Sequence, residues 1–362
     1  MYLTRLKAQN FRNFHAFDLE PCGDFNLIYG ANGSGKTSIL EAIHFLSLGR
    51  SFRSHLVNRI IQYEAEALTV FGAICSPDEM HFNIGIEKDR TGKLRLKVGN
   101  EIAHSAAQLA KVLPLQLLNP DSYNLLNEGP KLRREFLDWG VFHVEPLFFS
   151  IWQRFQKSLT QRNAALQRNL PLSQIQAWDN ELIPAAIELA NLREKYFQQL
   201  VPLITEIFSQ LILVDDMTVS YQQGWDKNEH LSTILSNAYF RDRTLGYTQY
   251  GPQRADVIFK INKIPAHDVL SRGEQKLLVC ALKLAQGILL KQLTGKTCLY
   301  LLDDLAAELD SNHREQVIKV LSTLKAQVFI TAVDVISIGN LLQELSHKTF
   351  HVEHNAVRFV ST

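Results

Sequence analysis

The chain has 362 residues, 46% hydrophobic and 21% charged, and its 38 basic against 37 acidic side chains leave a net charge of +1. That length suits two domains of roughly 150 residues each, with enough buried surface to fold without disulfides. The near-neutral balance excludes a protein that holds nucleic acid by bulk charge alone, and the lack of low-complexity tracts or long charge blocks excludes extensive disorder.

The first residues, MYLTRLKAQNFRNF, carry Arg5, Lys7 and Arg12 without an apolar core, so they do not read as a signal peptide. Phe25 to Tyr29 (FNLIY) reads as a buried strand running into glycine. Next comes GANGSGKT, residues 30–37, which fits G-x-x-x-x-G-K-[ST] between that strand and a helix expected over Ser38 to Leu48. In such a loop the backbone N–H groups of Gly30, Ala31, Asn32, Gly33, Ser34 and Gly35 wrap phosphates at the positive end of the helix. Lys36 is expected to reach the β- and γ-phosphates and the Thr37 hydroxyl to ligate magnesium.

Phe82, Ile84 and Ile86, then Leu94, Leu96 and Val98, alternate on either side of Asp89–Gly92, predicting a hairpin in an antiparallel sheet. From about Pro120 to Phe240 helical spacing takes over. Helices are expected over Glu145 to Arg168 and Ala185 to Leu213, with Pro146, Pro171 and Pro184 near starts or breaks. The most apolar window, Tyr196 to Val214, contains Gln198, Gln199, Pro202, Glu206 and Gln210 and reads as a buried helix, not a membrane span. Cys22, Cys75, Cys280 and Cys298 form no CxxC pair, which suits a reducing cytoplasm.

Two stretches are locally basic. Arg50, Arg53 and Arg59 lie without intervening acids. Between residues 131 and 168, Lys131, Arg133, Arg134, Arg154, Lys157, Arg162 and Arg168 outnumber Glu135, Asp138 and Glu145. Such clusters can neutralise DNA phosphates without reading bases, with Arg50, Arg53, Lys131, Arg133 and Arg134 as candidates. They can equally be solvated helix faces with local ion pairs.

Strand character returns at Asp256 to Asn262, and a helix is expected over Glu274 to Lys291. Cys298 to Leu302 and Val328 to Val333 read as buried parallel strands. The first delivers Asp303 and Asp304 at its C-terminal end, where α/β sheets bind ligands. Asp303 is placed to hold magnesium and Asp304 to orient or deprotonate an attacking water.

Leu270-Ser271-Arg272-Gly273-Glu274-Gln275-Lys276 is similar to the LSGGQ-like signature of the ATP-binding cassette ATPases. Ser271 offers a hydroxyl, Gly273 permits close backbone approach, and the helix presents its positive end to phosphate. The plain alternative is Ser271 as an N-cap, with Glu274 completing a capping box. The cassette resemblance implies Gln116, in PLQLL, as a glutamine near magnesium and water, and Asp310, in AELD, as the D-loop aspartate. Asp310 could simply cap the helix starting near Asn312. Asp304 stands where many cassettes have Glu, and no histidine ends the strand at Val333; Thr331 or Asp334 is near that place.

The interval from Lys36 to Ser271 exceeds that of transporter cassettes and falls far short of the coiled-coil insertion of SMC proteins. With FRNF (11–14), GRSFRS (49–54), KLRREFLDW (131–139), QRNAAL (161–166), YGP (250–252) and LDDLAAELD (302–310), the chain resembles the RecF family of SMC-like recombination mediators. The resemblance implies an α/β fold: an ABC-type P-loop ATPase head, with a mixed sheet and an antiparallel β-subdomain, plus an inserted helical lobe. The head is expected at 1–118 and 246–362 and the lobe at 119–245. It further implies ATP and Mg2+ as cofactors, and an ATP-dependent homodimer with each nucleotide held between the Lys36 loop and Ser271 and Gly273 of the other copy. Binding to gapped or junction DNA, slow DNA-stimulated hydrolysis, and cooperation with RecR and RecO, and through them RecA, complete the expectation, in the cytoplasm and away from membranes. The alternative is the cytosolic ATPase subunit of a transporter. A GTPase is disfavoured because Asn262-Lys263-Ile264-Pro265 lacks the base-reading Asp.

Overall fold

The computed structural model describes residues 1–76, 79–212, 214 and 216–360. Internal packing divides the chain into two units, Met1–Tyr123 with Lys276–Thr362, and Asn124–Gln275.

The first unit holds two six-stranded sheets. One runs, edge to edge, Ala356–Val360, His347–Glu353, Phe25–Tyr29, Val328–Ala332, Leu299–Leu302 and Leu115–Leu118. All its pairings are parallel except the closing hairpin of the last two strands in sequence. Leu299–Leu302 and Val328–Ala332 are buried at every position, as strands covered on both faces must be. The other sheet is antiparallel, in the order Phe14–Leu19, Tyr2–Phe11, Ala67–Cys75, His81–Asp89, Leu94–Val98 and Glu101–Ala103. Its expected hairpin turns where the Asp89 carboxylate accepts from the Thr91 and Lys93 N–H groups, each at 3.0 Å. The strand Tyr2–Phe11 carries a register shift between Leu3 and Arg5, which breaks the two-residue alternation that would mark it in the sequence.

Helix Lys36–Leu48 packs between the two sheets. Ile39, Leu40, Ile43, Phe45 and Leu46 are fully buried in a core that draws on both. Glu41, His44 and Ser47 on its other faces are buried too, so the helix is enclosed on nearly all sides. Its start, directly after a central strand, fixes the phosphate loop at the carboxyl end of the parallel sheet.

The second unit contains helices Pro130–Val144, Phe148–Gln167 and Leu172–Leu211 and a three-stranded sheet of Ile264–Pro265, Asp256–Ile261 and Met217–Gln222. The longest helix has 40 residues and runs unbroken through Pro184 and Pro202. This corrects the expected break at Pro184. Each proline removes one backbone hydrogen bond, but Ile175, Leu182, Ala186 and Leu189 keep one buried stripe across the site. Leu213, the last residue of the expected helical stretch, lies outside the described residues. Two arginines tie this unit together from inside. Arg162, 1% exposed, bonds Asp179 at 2.7 Å and Asp242 and Thr248 at 2.8 Å. Arg193 makes a bidentate pair with Asp138 at 2.7 and 2.8 Å.

The packing boundary near residue 275 lies beyond the 245/246 break expected from composition. Asp256–Ile261 pairs along its whole length with Met217–Gln222, so that segment folds with the helical unit. Helix Arg272–Thr294 is long and apolar enough to cross a membrane by composition, but 67% of its apolar window is buried inside the protein, as in a core helix.

Candidate nucleotide site

The chain leaves strand Phe25–Tyr29 at Gly30, where a Cβ would lie 2.2 Å from the Val352 carbonyl oxygen, so no larger residue fits. Gly35 caps the helix at φ +113°, and a Cβ there would meet the Phe14 ring at 2.6 Å. These two glycines hold the loop tight enough to bend Lys36 back over it. The ammonium donates to the carbonyls of Gly30 at 2.8 Å and Ala31 at 3.1 Å, and the side chain is buried.

Thr37, one residue further on, donates to Asp303 Oδ1 at 3.0 Å. Asp303 ends strand Leu299–Leu302, and the strand between, Val328–Ala332, contributes Thr331. Thr331 Oγ1 donates to the same carboxylate oxygen at 2.8 Å and accepts from the Asp304 N–H at 2.9 Å. Burial pushes the Asp303 carboxyl above its usual range; the two threonine hydroxyls pull it back and the neighbouring Asp304 charge adds to the rise. Asp304 itself is left-handed, φ 52° and ψ 42°, which turns its side chain toward the same cavity.

That cavity has a volume of about 730 Å³ and is lined by the loop residues, Thr37 and Asp304, with Arg12, Arg53 and Arg59. Two of these arginines are braced from below by the fully buried Glu41. Arg12 Nε bonds it at 2.8 Å and Arg53 approaches at 3.8 Å, while Ser51 also donates to it. Sequence reading assigned Arg53 to DNA and gave Arg12 no site role; their convergence depends on a pairing between residues far apart in the chain.

The donor set fits a polyphosphate with a hydrated divalent cation. Ser34 Oγ is buried in the loop with no hydrogen-bond partner among the described residues, as expected of a hydroxyl shaped for an anion. Among the described residues Asp303, a buried carboxylate, is bonded through neutral hydroxyls and makes no direct ion pair, the arrangement that suits a cation ligand.

Other expected residues fall elsewhere. Gln116 is a correction: its amide donates to Gln286 Oε1 at 2.9 Å and its oxygen accepts from Lys283 at 3.3 Å. It pairs in register with Tyr300, inside the strand, and its alternation sends it away from the Thr37–Asp303 pair. The register Leu118↔Leu302 instead puts Asn119 beside Asp303; Asn119 is buried and accepts from the Ser122 N–H at 3.0 Å. Asp310 is exposed and caps helix Ser311–Leu324, accepting from the Asn312 and His313 N–H groups at 3.1 and 3.0 Å, which hold its carboxyl below the usual range. Ser271 and Glu274 form the reciprocal capping box, at 2.8 and 3.3 Å, leaving Ser271 and Gly273 exposed at the start of helix Arg272–Thr294.

Among the DNA candidates, Arg50 is exposed and Lys131 is 80% exposed, 3.9 Å from Glu135. Arg133 is a correction: it is a largely buried bidentate partner of Asp256, at 2.7 and 3.0 Å, and is not available to phosphate. Arg134 donates to the Ala255 carbonyl at 2.9 Å.

The sequence matches the RecF/RecN/SMC N terminal domain family over residues 2–355. It is 47% identical to the DNA replication and repair protein RecF of Pseudomonas syringae pv. syringae, over 99% of this chain and 98% of that protein. The chain belongs to the RecF family. The RecF protein of Pseudomonas aeruginosa is likewise 47% identical, over 100% of this chain and 99% of its own length. The solved structure of the recombination mediator protein RecF-ATP in the RecFOR pathway superposes with a TM-score of 0.88 at 25% identity, covering 99% of this chain and 98% of that one. An SMC head bound to the C-winged helix domain of ScpA gives 0.60 at 16% identity over 100% and 98%, a likeness of fold alone. An ABC-type ATPase head with a mixed sheet, antiparallel β-subdomain and inserted helical unit is the fold of this chain.

Proposed function

We propose that this chain is an ATP-driven DNA clamp of replication and recombinational repair. The observation that carries the reading is that Thr37 and Asp304 line one cavity with the phosphate loop, while Asp303, buried behind it, accepts from Thr37 at 3.0 Å. The RecF names of its relatives, one of them described with ATP in the RecFOR pathway, support repair over the transporter alternative.

ATP with Mg2+ supplies the γ-phosphoryl group and neutralises its charge. The loop N–H groups and Ser34 hydroxyl bind phosphate oxygens, and Lys36 leaves its two carbonyl partners to do the same. Thr37 and Asp303 would hold the cation, with the Thr331 hydroxyl fixing the carboxylate. Asp304 orients the attacking water and accepts its proton. Gln116 is too far inside the sheet to take the role implied for it, so Asn119 is the better candidate beside Asp303.

Ser271 and Gly273, exposed at a helix start, are suited to close on the γ-phosphate of a second copy, giving a homodimer with two nucleotides at its interface. The capping box does not compete with this, because it uses the Ser271 hydroxyl only as an acceptor. DNA at gaps and junctions then meets surfaces doubled by the dimer. This matters for a chain of net charge +1, in which Arg50, Arg53 and Lys131 are the exposed members of the basic candidates and are too few to hold DNA singly. RecR and RecO, and through them RecA, are the proposed partners, and slow hydrolysis releases the clamp in the cytoplasm.

The test is DNA affinity by fluorescence anisotropy on a gapped duplex, with ATP, without nucleotide, and with Lys36→Ala. ATP should raise affinity at least tenfold in the wild type and not in the variant. Equal affinity in all three conditions contradicts the proposal.

A further inference from the structure

The helical unit holds a second cavity, about 760 Å³, that none of the motifs above explains. It lies between helix Leu172–Leu211, the loop that follows strand Met217–Gln222, and the turn Pro252–Arg254. Its volume is in the range that takes a nucleotide-sized ligand.

The lining has an unusual chemistry for a surface crevice. Trp225 provides one aromatic wall. Four carboxamides, Asn191, Gln222, Gln223 and Asn228, face the same space. Among the described residues, the Asn191 and Gln222 side chains make no hydrogen bond, so both edges of each amide are available. Lys227 and Arg254 supply positive charge at the rim. The Arg254 guanidinium lies 5.0 Å from the Tyr247 ring centroid, and Tyr247 and Tyr250 are 40% and 37% exposed. Glu194 and Asp226 also line the cavity, accepting from the Gln198 amide and the Asn228 N–H at 2.9 Å each; these neutral donors leave their formal charges in place, so the lining balances Lys227 and Arg254, and stacking and amide bonding carry the recognition.

The wall is built, not draped. Gly224 sits at φ +99°, and a Cβ there would be 2.1 Å from the Gly251 carbonyl oxygen. The Gly251 N–H returns a bond to the Gly224 carbonyl at 3.2 Å. This crossing pins the loop carrying Trp225 against the turn carrying Arg254.

A flat indole, amides that can both donate and accept, and cations at the edge are the features that hold a base by its face, its polar edge and its phosphate. We infer that this cavity receives an unpaired nucleobase of single-stranded or gapped DNA, stacked on Trp225. Paired bases cannot enter, because their faces and edges are already taken within the duplex. The inference rests on the DNA-binding reading and deepens it. Head contacts neutralise backbone on any DNA, whereas this pocket distinguishes a gap from intact duplex. Carboxamides accept the edge of every base, so no sequence preference follows.

The full-length protein with ATP is to be titrated with a duplex carrying a thymidine gap and with the same duplex fully paired. Trp225→Ala should weaken gapped-DNA binding on the order of tenfold and leave paired duplex within about twofold, with Trp225→Phe retaining most of the affinity. In the wild type, 5-iododeoxyuridine placed in the gap should crosslink to the segment Tyr221–Asn228, a readout that stands even if the alanine variant fails to fold. Wild-type protein that binds neither probe removes the DNA reading and this inference together. Wild-type binding that Trp225→Ala leaves intact, with crosslinks elsewhere, overturns the pocket alone and leaves the DNA reading standing. Equal weakening on both probes overturns it as well.

Discussion

Thr37 and Asp303 meet at 3.0 Å although the strand that leads into the phosphate loop and the strand that ends before Asp303 are not neighbours in the sheet; the strand between carries Thr331, which bonds the same carboxylate oxygen. Thr331 is therefore the brace that sets the distance between the phosphate loop and the acidic pair. Thr331→Val keeps the volume and removes both bonds, leaving the Asp304 N–H without its acceptor. It should cost about 1–3 kcal/mol of stability and lower kcat for ATP hydrolysis more than it weakens nucleotide binding. Denaturant titration and steady-state kinetics measure the two effects. An unchanged kcat would mean that Thr331 does not position Asp303.

Asp303 should trade stability for function. Its carboxyl is raised in the folded protein, chiefly by burial. Between the ordinary carboxylate range and that raised value the folded state binds more protons than the unfolded state, so stability falls as pH rises through this window. At pH 7 the ionised group is a net cost. Asp303→Asn should accordingly raise the melting temperature of the nucleotide-free protein on the order of 2 °C, with the gain vanishing below the ordinary carboxylate pKa, while hydrolysis is lost. Calorimetry across pH 3–8 decides it.

Gln116 offers a way to separate sheet packing from chemistry. It bonds Gln286 and Lys283, and burial pushes the Lys283 ammonium down to about 8. A base with a lowered folded pKa costs stability below that value, and the cost disappears as pH rises from about 8 through the ordinary lysine range. Lys283→Met should be more stable than wild type at pH 7 and indistinguishable from it above about pH 10. Gln116→Leu should leave magnesium-dependent nucleotide affinity within about twofold; a large loss would restore Gln116 to the site.

The helical unit should be sensitive at Arg162. Its removal strands Asp179 and Asp242, and burial already raises the Asp242 carboxyl above its usual range. Arg162→Ala should cost about 3–5 kcal/mol, visible as early unfolding of this unit in hydrogen exchange, with nucleotide binding by the head retained.

The chemistry of the head was legible because it is local. Gly30 to Thr37 is one contiguous loop between a strand and a helix, and Asp303 follows an apolar strand directly. Ser271 was legible as the helix cap, since the capping box Ser271–Glu274 is read from four consecutive residues. What sequence could not give was register and long-range pairing. Gln116 faces inward by the phase of a four-residue strand, too short for alternation to betray its direction. Arg133 looked like a free surface cation because its partner, Asp256, comes from a distant strand. Pro184 looked like a break because the apolar stripe that carries the helix through it is spread over four turns. Arg12 joined the cavity only through Glu41, which sits on the far side of the phosphate loop in sequence.

The central claim is that ATP holds two copies together through Ser271 and Gly273. Multi-angle light scattering with saturating ATP, on the wild type and on Ser271→Arg, tests it most directly. The account predicts a doubling of mass for the wild type and a monomer for the variant, with ATP still bound by both. A wild-type monomer with ATP bound, or a Ser271→Arg dimer, would contradict it.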